Sequence, residues 1–416
     1  MPTQAVRSTP LPVDWVRARF PALATDWVLM DNAGGSVPLG RVIDRISEYM
    51  ARWPVQLGAS YALSAEAGKL LQQARESLAS MMSVPGGARP GADELVIGSS
   101  TSSLVSRLAR AIAPGLSPGD EIIVTDADHE ANITPWRRLA KRGITLRTWH
   151  LNRDTHRLEI DDLLPLLSDR SRLVCFTHAS NLLGEATPVA EITALAHRHG
   201  ARVCVDGVAY APHRPLPVRD WDVDFYVFSL YKVYGPHCAV MFARRDRLSE
   251  LRNINHEFMD AMDGPGKLEP GGFPYELLYG AAAVPEYFSA LARQLGETQP
   301  WPAIAAQEAA LGTRLLDYLN GRPEIEIMGS PEPSPARLPT ISFAVRGHRS
   351  SEIPALCEPD RIGIRWGHFY APRLVERLGL TERDGVVRVS LVHYNTAAEV
   401  DALIRSLDRG LDSLGS

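Results

Sequence analysis

The chain has 416 residues, 45% hydrophobic and 22% charged, with a formal net charge of −5. That balance suits a packed protein with one large domain and a smaller partner. It gives no excess or run of Lys and Arg for nucleic acid, and no segment approaches the roughly 18 uninterrupted apolar residues of a membrane span.

The N-terminal stretch MPTQAVRSTPLPVDW lacks the apolar core of a signal peptide, so the cytoplasm is the expected compartment. From about residue 93 to 245 short apolar runs alternate with helical patterns. The expected strands are Glu94–Ile97, Glu121–Thr125, Thr145–Trp149, Leu173–Thr177, Arg202–Val205, Phe225–Ser229 and Ala239–Ala243. The helical patterns between them include Ser103–Ala113, Pro135–Arg142 and Pro188–His199. Such alternation implies βαβ crossovers and an α/β fold with a mostly parallel seven-stranded sheet buried on both faces. Helices follow at Ala281–Gly296 and Pro302–Asn320, then a turn region at Pro331–Pro339. Strands at Thr340–Val345 and Val386–Leu391, with a last helix at about Ala397–Leu414, suggest a small α+β domain. The expected division is a large domain over 20–295 and a small one built from 1–19 and 296–416. Cys175, Cys204, Cys238 and Cys357 are scattered without zinc spacing and read as reduced, buried thiols; no metal site is expected.

Four stretches fall at ends of expected strands of the large domain, where open α/β sheets bind ligands. Gly98-Ser99-Ser100-Thr101-Ser102-Ser103 can cradle a phosphate on hydroxyls and helix-start N–H groups, or simply cap a helix. In Asp126-Ala127-Asp128-His129-Glu130, His129 can lie on an aromatic ring and exchange protons, or belong to a solvated acidic loop. Asp206, ending Val203-Cys204-Val205, is costly to bury unless a cation such as a pyridinium nitrogen faces it; otherwise it caps a turn. Lys232 follows Phe228-Ser229-Leu230-Tyr231, an apolar setting that favours its neutral, nucleophilic amine.

Taken together, these stretches resemble the class V aminotransferase superfamily of fold-type I pyridoxal-phosphate (PLP) enzymes, in its cysteine desulfurase-like branch. The resemblance runs from about Leu29 to Tyr394. Further residues that carry it are Asp31-Asn32-Ala33-Gly34, Ser180-Asn181-Leu182-Leu183-Gly184, Lys232 placed 26 residues after Asp206, and Arg388-Val389-Ser390-Leu391. It implies that Lys232 forms the Schiff base and then shuttles protons, that Asp206 pairs with the pyridinium nitrogen, and that His129 stacks on the ring. It implies Asn181 near the ring hydroxyl and Ser100, Thr101 and Ser229 around the phosphate, with Tyr231 as a further phosphate ligand. Arg388 would clamp the substrate carboxylate, with Arg365 as a second anion-binding candidate. Gly272 stands where the family has a Thr that reaches the partner subunit's phosphate, so a homodimer with interfacial sites is implied.

One departure bears on chemistry. In cysteine desulfurases a loop after G-x-x-V-R carries the persulfide-forming cysteine, and here Gly363-Ile364-Arg365-Trp366-Gly367-His368-Phe369-Tyr370 puts Tyr370 in that place. A phenol cannot form a persulfide. Ala209 replaces a ring-contacting Gln, Tyr231 a His, and Glu130 a second His. The expected activity is therefore PLP chemistry at Cα and Cβ of an amino acid, foremost β-elimination of the C–S lyase type without persulfide transfer. Transamination or epimerisation is the alternative, and a non-catalytic PLP-binding protein the third reading.

Overall fold

The computed structural model describes residues 9–414 except 260 and 333–336, so part of the turn region at Pro331–Pro339 lies outside the described residues. Seven strands form the large sheet: β1 (Leu95–Gly98), β2 (Glu121–Thr125), β3 (Thr145–Trp149), β4 (Ser171–Thr177), β5 (Arg202–Asp206), β6 (Phe225–Ser229) and β7 (Ala239–Ala243). Their order across the sheet is β1-β7-β6-β5-β4-β2-β3. β7 runs antiparallel to both β1 and β6, while the other neighbours are parallel. Every residue of β1, β2, β6 and β7 is buried, which is why these strands are apolar through their middles rather than alternating.

Regular helices make two of the connections between strands. Helix α1 (Thr101–Ile112) starts where Ser100 Oγ accepts the Ser103 N–H at 3.1 Å, and α2 (Val189–Arg198) precedes β5. The expected helix over Pro135–Arg142 is broken: one α-helical turn, Thr134–Arg137, tightens into a 3-10 helix, Arg138–Arg142. Gly143 ends it at φ 82° with its N–H on the Ala140 carbonyl, so the short link between β2 and β3 is closed by a left-handed glycine. Glu94 likewise falls outside β1. It sits in a 3-10 turn, and its buried carboxylate accepts the N–H groups of Gly91 and Arg245.

The C-terminal part carries an antiparallel sheet of four strands, β8 (Ile325–Met328), β9 (Thr340–Val345), β10 (Arg365–Gly367) and β11 (Val386–Ser390), in the order β10-β11-β9-β8. Helices α3 (Trp301–Asn320) and α4 (Ala397–Leu414) pack on it around Leu315, Phe343, Val389 and Leu407. The chain reaches this part early: Asp31 bridges Ser390 of β11, and Val28–Leu29 form a separate two-stranded parallel pair with Ile362–Gly363. All four cysteines are buried. Among the described residues no helix is long and apolar enough to cross a membrane.

Candidate active site

The C-terminal ends of β2, β4, β5 and β6 and the start of α1 converge on one pocket. Ser100, Thr101, His129, Asn181, Asp206, Ala209, Ser229, Tyr231 and Lys232 line it.

Lys232 ends the 3-10 turn after β6 and is buried. Burial, then Arg388 and Arg365, lower its pKa to about 8, against the opposing pull of Asp206 and Asp31. A neutral amine is therefore accessible close to neutrality, which a nucleophilic lysine requires. Asp206 is 4% exposed and accepts the Val208 N–H at 2.9 Å. Burial raises its pKa to about 6, while that hydrogen bond and Lys232 pull the other way. Its place is secured by Gly207, where a Cβ would lie 2.2 Å from the Tyr226 ring. Only glycine lets the chain turn there.

His129 accepts the Ala131 N–H on Nδ1 at 3.0 Å, so its proton is carried on Nε2 when neutral. Burial first, then Lys232 and Arg388, lower its pKa to about 4, and the ring is neutral at ordinary pH. The Tyr370 ring stacks on it at 5.3 Å. On the opposite flank, the hydroxyls of Thr101 and Ser229 lie 2.7 Å apart at the start of α1. Hydroxyls gathered at the positive end of a three-turn helix suit a phosphate. A buried lysine, a buried carboxylate with no salt bridge among the described residues, a neutral imidazole and this hydroxyl cradle together match the groups that a phosphorylated pyridinium aldehyde needs.

Arg388 is 1% exposed. Its Nη2 donates to Asp31 Oδ1 at 2.7 Å, its Nη1 to the Asn181 carbonyl at 3.1 Å, and its guanidinium lies 3.7 Å from the centre of the Phe369 ring. Arg365 on β10 faces Arg388 on β11 in direct register. Like charges across a strand pair repel, and Asp31 answers this by taking Arg365 Nη1 on its other oxygen at 3.1 Å. Asp31 was legible only as part of an N-terminal motif, and its role as the shared counter-ion depends on partners more than 300 residues away.

The loop ending in Tyr370 is held down. The Asn181 side-chain amide donates to the Phe369 carbonyl at 3.0 Å, and the Glu130 N–H donates to the Tyr370 carbonyl at 2.8 Å. Phe369 and Tyr370 both have left-handed backbone, φ 48° and 60°, a cost of about 1–2 kcal/mol each. Tyr370 itself is 67% exposed at the mouth of the site. Tyr231 is half-buried and stacks on His237 at 4.8 Å. Gly272 lies outside the pocket lining: it is exposed, with nothing within 4 Å of where its Cβ would be.

The profile of the family described as aminotransferase class-V matches residues 28–403. An aminotransferase-like protein of Gibberella zeae is 40% identical over 96% of this chain and 99% of its own length. A cysteine desulfurase-like protein of Aspergillus flavus is 35% identical over 95% of this chain and 90% of its own. The crystal structure of the cysteine desulfurase CsdA from Escherichia coli superposes with a TM-score of 0.83 at 27% identity, covering 96% of this chain and 98% of that one.

Proposed function

The chain belongs to the class-V aminotransferase family of PLP-dependent enzymes, and from that premise we propose that it cleaves a Cβ–S bond of a cysteine-derived amino acid without passing sulfur to the protein. The observation that carries this reading is the loop: a desulfurase-like site holds the phenol of Tyr370 where a thiol would be needed. The four cysteines are all buried and belong to the three apolar cores.

PLP, when bound, stabilises a carbanion at the substrate's Cα. In this proposal Lys232 holds the cofactor and later moves the proton at Cα. Asp206 faces the ring nitrogen, and Ser100, Thr101, Ser229 and Tyr231 take the phosphate. His129 lies along the ring, and Asn181 positions the loop that carries Tyr370. Arg388 takes the substrate carboxylate, for which it must share or yield Asp31. Arg365 and Tyr370 close the mouth. Gly272, exposed and outside the pocket lining of its own chain, fits a contribution to a partner subunit, so the proposed working form is a homodimer. Residues 20–295 would then be the cofactor-binding domain and 296–416, with 1–19, the smaller one.

The test is a panel of S-substituted cysteines with keto-acid release as the readout. Release of pyruvate without a protein persulfide supports elimination, and silence across the panel overturns it. The likeness to an aminotransferase-like relative supports transamination as the second reading, which predicts that the amino group stays on the cofactor. Borohydride should fix PLP to a Lys232 peptide in the unaltered protein and not in Lys232→Ala.

A further inference from the structure

Behind the pocket lies a polar cluster to which the proposed chemistry gives no role. Asp128 is 1% exposed, and Asn132, Trp136 and Cys204 are each 0% exposed. Asp128 Oδ1 accepts the His129 N–H at 2.8 Å, and Oδ2 accepts the Asn132 side-chain amide at 2.7 Å. The amide's orientation is fixed from its other end, where Asn132 Oδ1 accepts the Trp136 indole N–H at 3.3 Å and the Cys204 thiol at 3.8 Å.

Cys204 and Asp206 lie two residues apart on β5, so their side chains leave the same face of the sheet. Asn132 thus spans from the strand that bears Asp206 to Asp128, and ties a second buried carboxyl to the strand of the first. The charged neighbours of Asp128 are Asp206 and Glu130, both acidic, and the thiol of Cys175 also faces it. Among the described residues no Arg, Lys or His pairs with it. A buried carboxylate without a cation costs several kcal/mol, and both of its oxygens are already spent as acceptors.

We infer that Asp128 is a positioning residue for the cofactor: a second buried carboxyl, aligned beside Asp206 by Asn132, that helps keep the proton on the ring nitrogen. Lys232 is the cation whose charge acts on Asp206 in the protein alone, and it must be neutral to capture an aldehyde. With PLP bound, the ring nitrogen would be the cation that Asp206 meets from the pocket wall and Asp128 reinforces from behind it. In the protein alone burial and Asp206 both push the Asp128 carboxyl upward, and a cation arriving beside the pair would favour its ionised form. The inference rests on PLP binding, whichever reaction the bound cofactor supports.

The experiment uses the full-length apo-protein and two probes, PLP and its analogue with carbon in place of the ring nitrogen. Asp128→Asn should bind PLP about tenfold more weakly, equivalent to one pKa unit of lost interaction, and the analogue within about twofold of the unaltered protein. Asp206→Asn should discriminate in the same sense and more strongly. Equal loss of both probes would reduce Asp128 to a support for the His129 backbone and overturn the inference, as would no loss of either. An Asn at this position must turn its amide toward one of two N–H donors. Asp128→Ser, which keeps an acceptor for His129, therefore repeats the measurement if the first variant does not fold. Unaltered protein that takes up neither probe would overturn the cofactor assignment, and this inference with it.

Discussion

At the scale of single residues, the pocket is organised by which charges are buried and which are answered. Lys232 sits among two arginines and two acids, with burial the largest influence on it. Its amine loses its proton around pH 8 rather than near its ordinary value. Apo-protein should accordingly capture PLP faster as pH rises from about 6 to about 9, with the midpoint near 8. A stopped-flow absorbance titration that stays flat across that range would show that amine deprotonation does not limit capture. Arg388 makes a different prediction, because its fork holds Asp31 and the Asn181 carbonyl at once. Lysine carries the same charge on a single nitrogen and cannot reproduce the planar fork. Arg388→Lys should raise KM for the amino acid by roughly tenfold to a hundredfold, the value of one charge-assisted hydrogen bond, while PLP loading is retained. Lys232, Asp206 and Arg388 were legible as residues because each sits within or next to an apolar run. Asp31 and Asp128 were not legible in their roles. Their surroundings are assembled from distant strands, and a carboxylate in a D-x-A or D-H-E stretch carries no mark of its future neighbours.

At the scale of elements, the strands were readable because burial on both faces gives most of them a run of apolar residues, and six of the seven expected spans agree with the structure within one residue at each end. The helical link over Pro135–Arg142 was less readable. Its composition favours a helix, but the distance from the end of β2 to the start of β3 is bridged by a tightened turn and Gly143. Tertiary spacing outweighed local propensity there. The turn after β5 shows the reverse case, a local demand made by a distant side chain. Tyr226 on β6 packs so closely over Gly207 that any Cβ would enter its ring, and the Tyr226 hydroxyl is already engaged by His178 Nδ1 at 2.8 Å. Gly207→Ala should cost about 1–3 kcal/mol by overpacking and shift Asp206 away from the pocket. Chemical denaturation and PLP affinity, measured on the same variant, should both fall. A variant that loses stability and keeps full affinity would show that the Asp206 turn relaxes independently of its strand.

At the scale of the whole molecule, the large sheet and helix α3 are tied by a buried ionic cluster outside the active site. Glu308 on α3 is 1% exposed and takes His213 Nδ1 on one oxygen and Arg214 on the other, each at 2.8 Å. Nearby, His393 is clasped between the hydroxyls of Tyr234 and Tyr287 at 3.0 and 2.6 Å. Burial alone would push the Glu308 carboxyl upward, but His213 and Arg214 outweigh it and its pKa is lowered. Linkage sets the sign of the pH dependence. A carboxyl whose pKa is lower folded than unfolded contributes stability that is complete above the unfolded value, about 4.3, and that drains away as pH falls through the folded value. Glu308→Gln leaves Arg214 and His213 beside a neutral amide, so it should cost roughly 3–5 kcal/mol at neutral pH, the usual penalty for breaking a buried pair. That deficit should shrink as the pH is lowered below about 4, because the unaltered protein loses the same contribution there. Urea melts of both proteins at neutral pH and at about pH 3 measure this directly. A deficit that is small at neutral pH, or that does not narrow in acid, would place the join between α3 and the large sheet in the surrounding apolar packing and leave the ion pair only the task of setting its register.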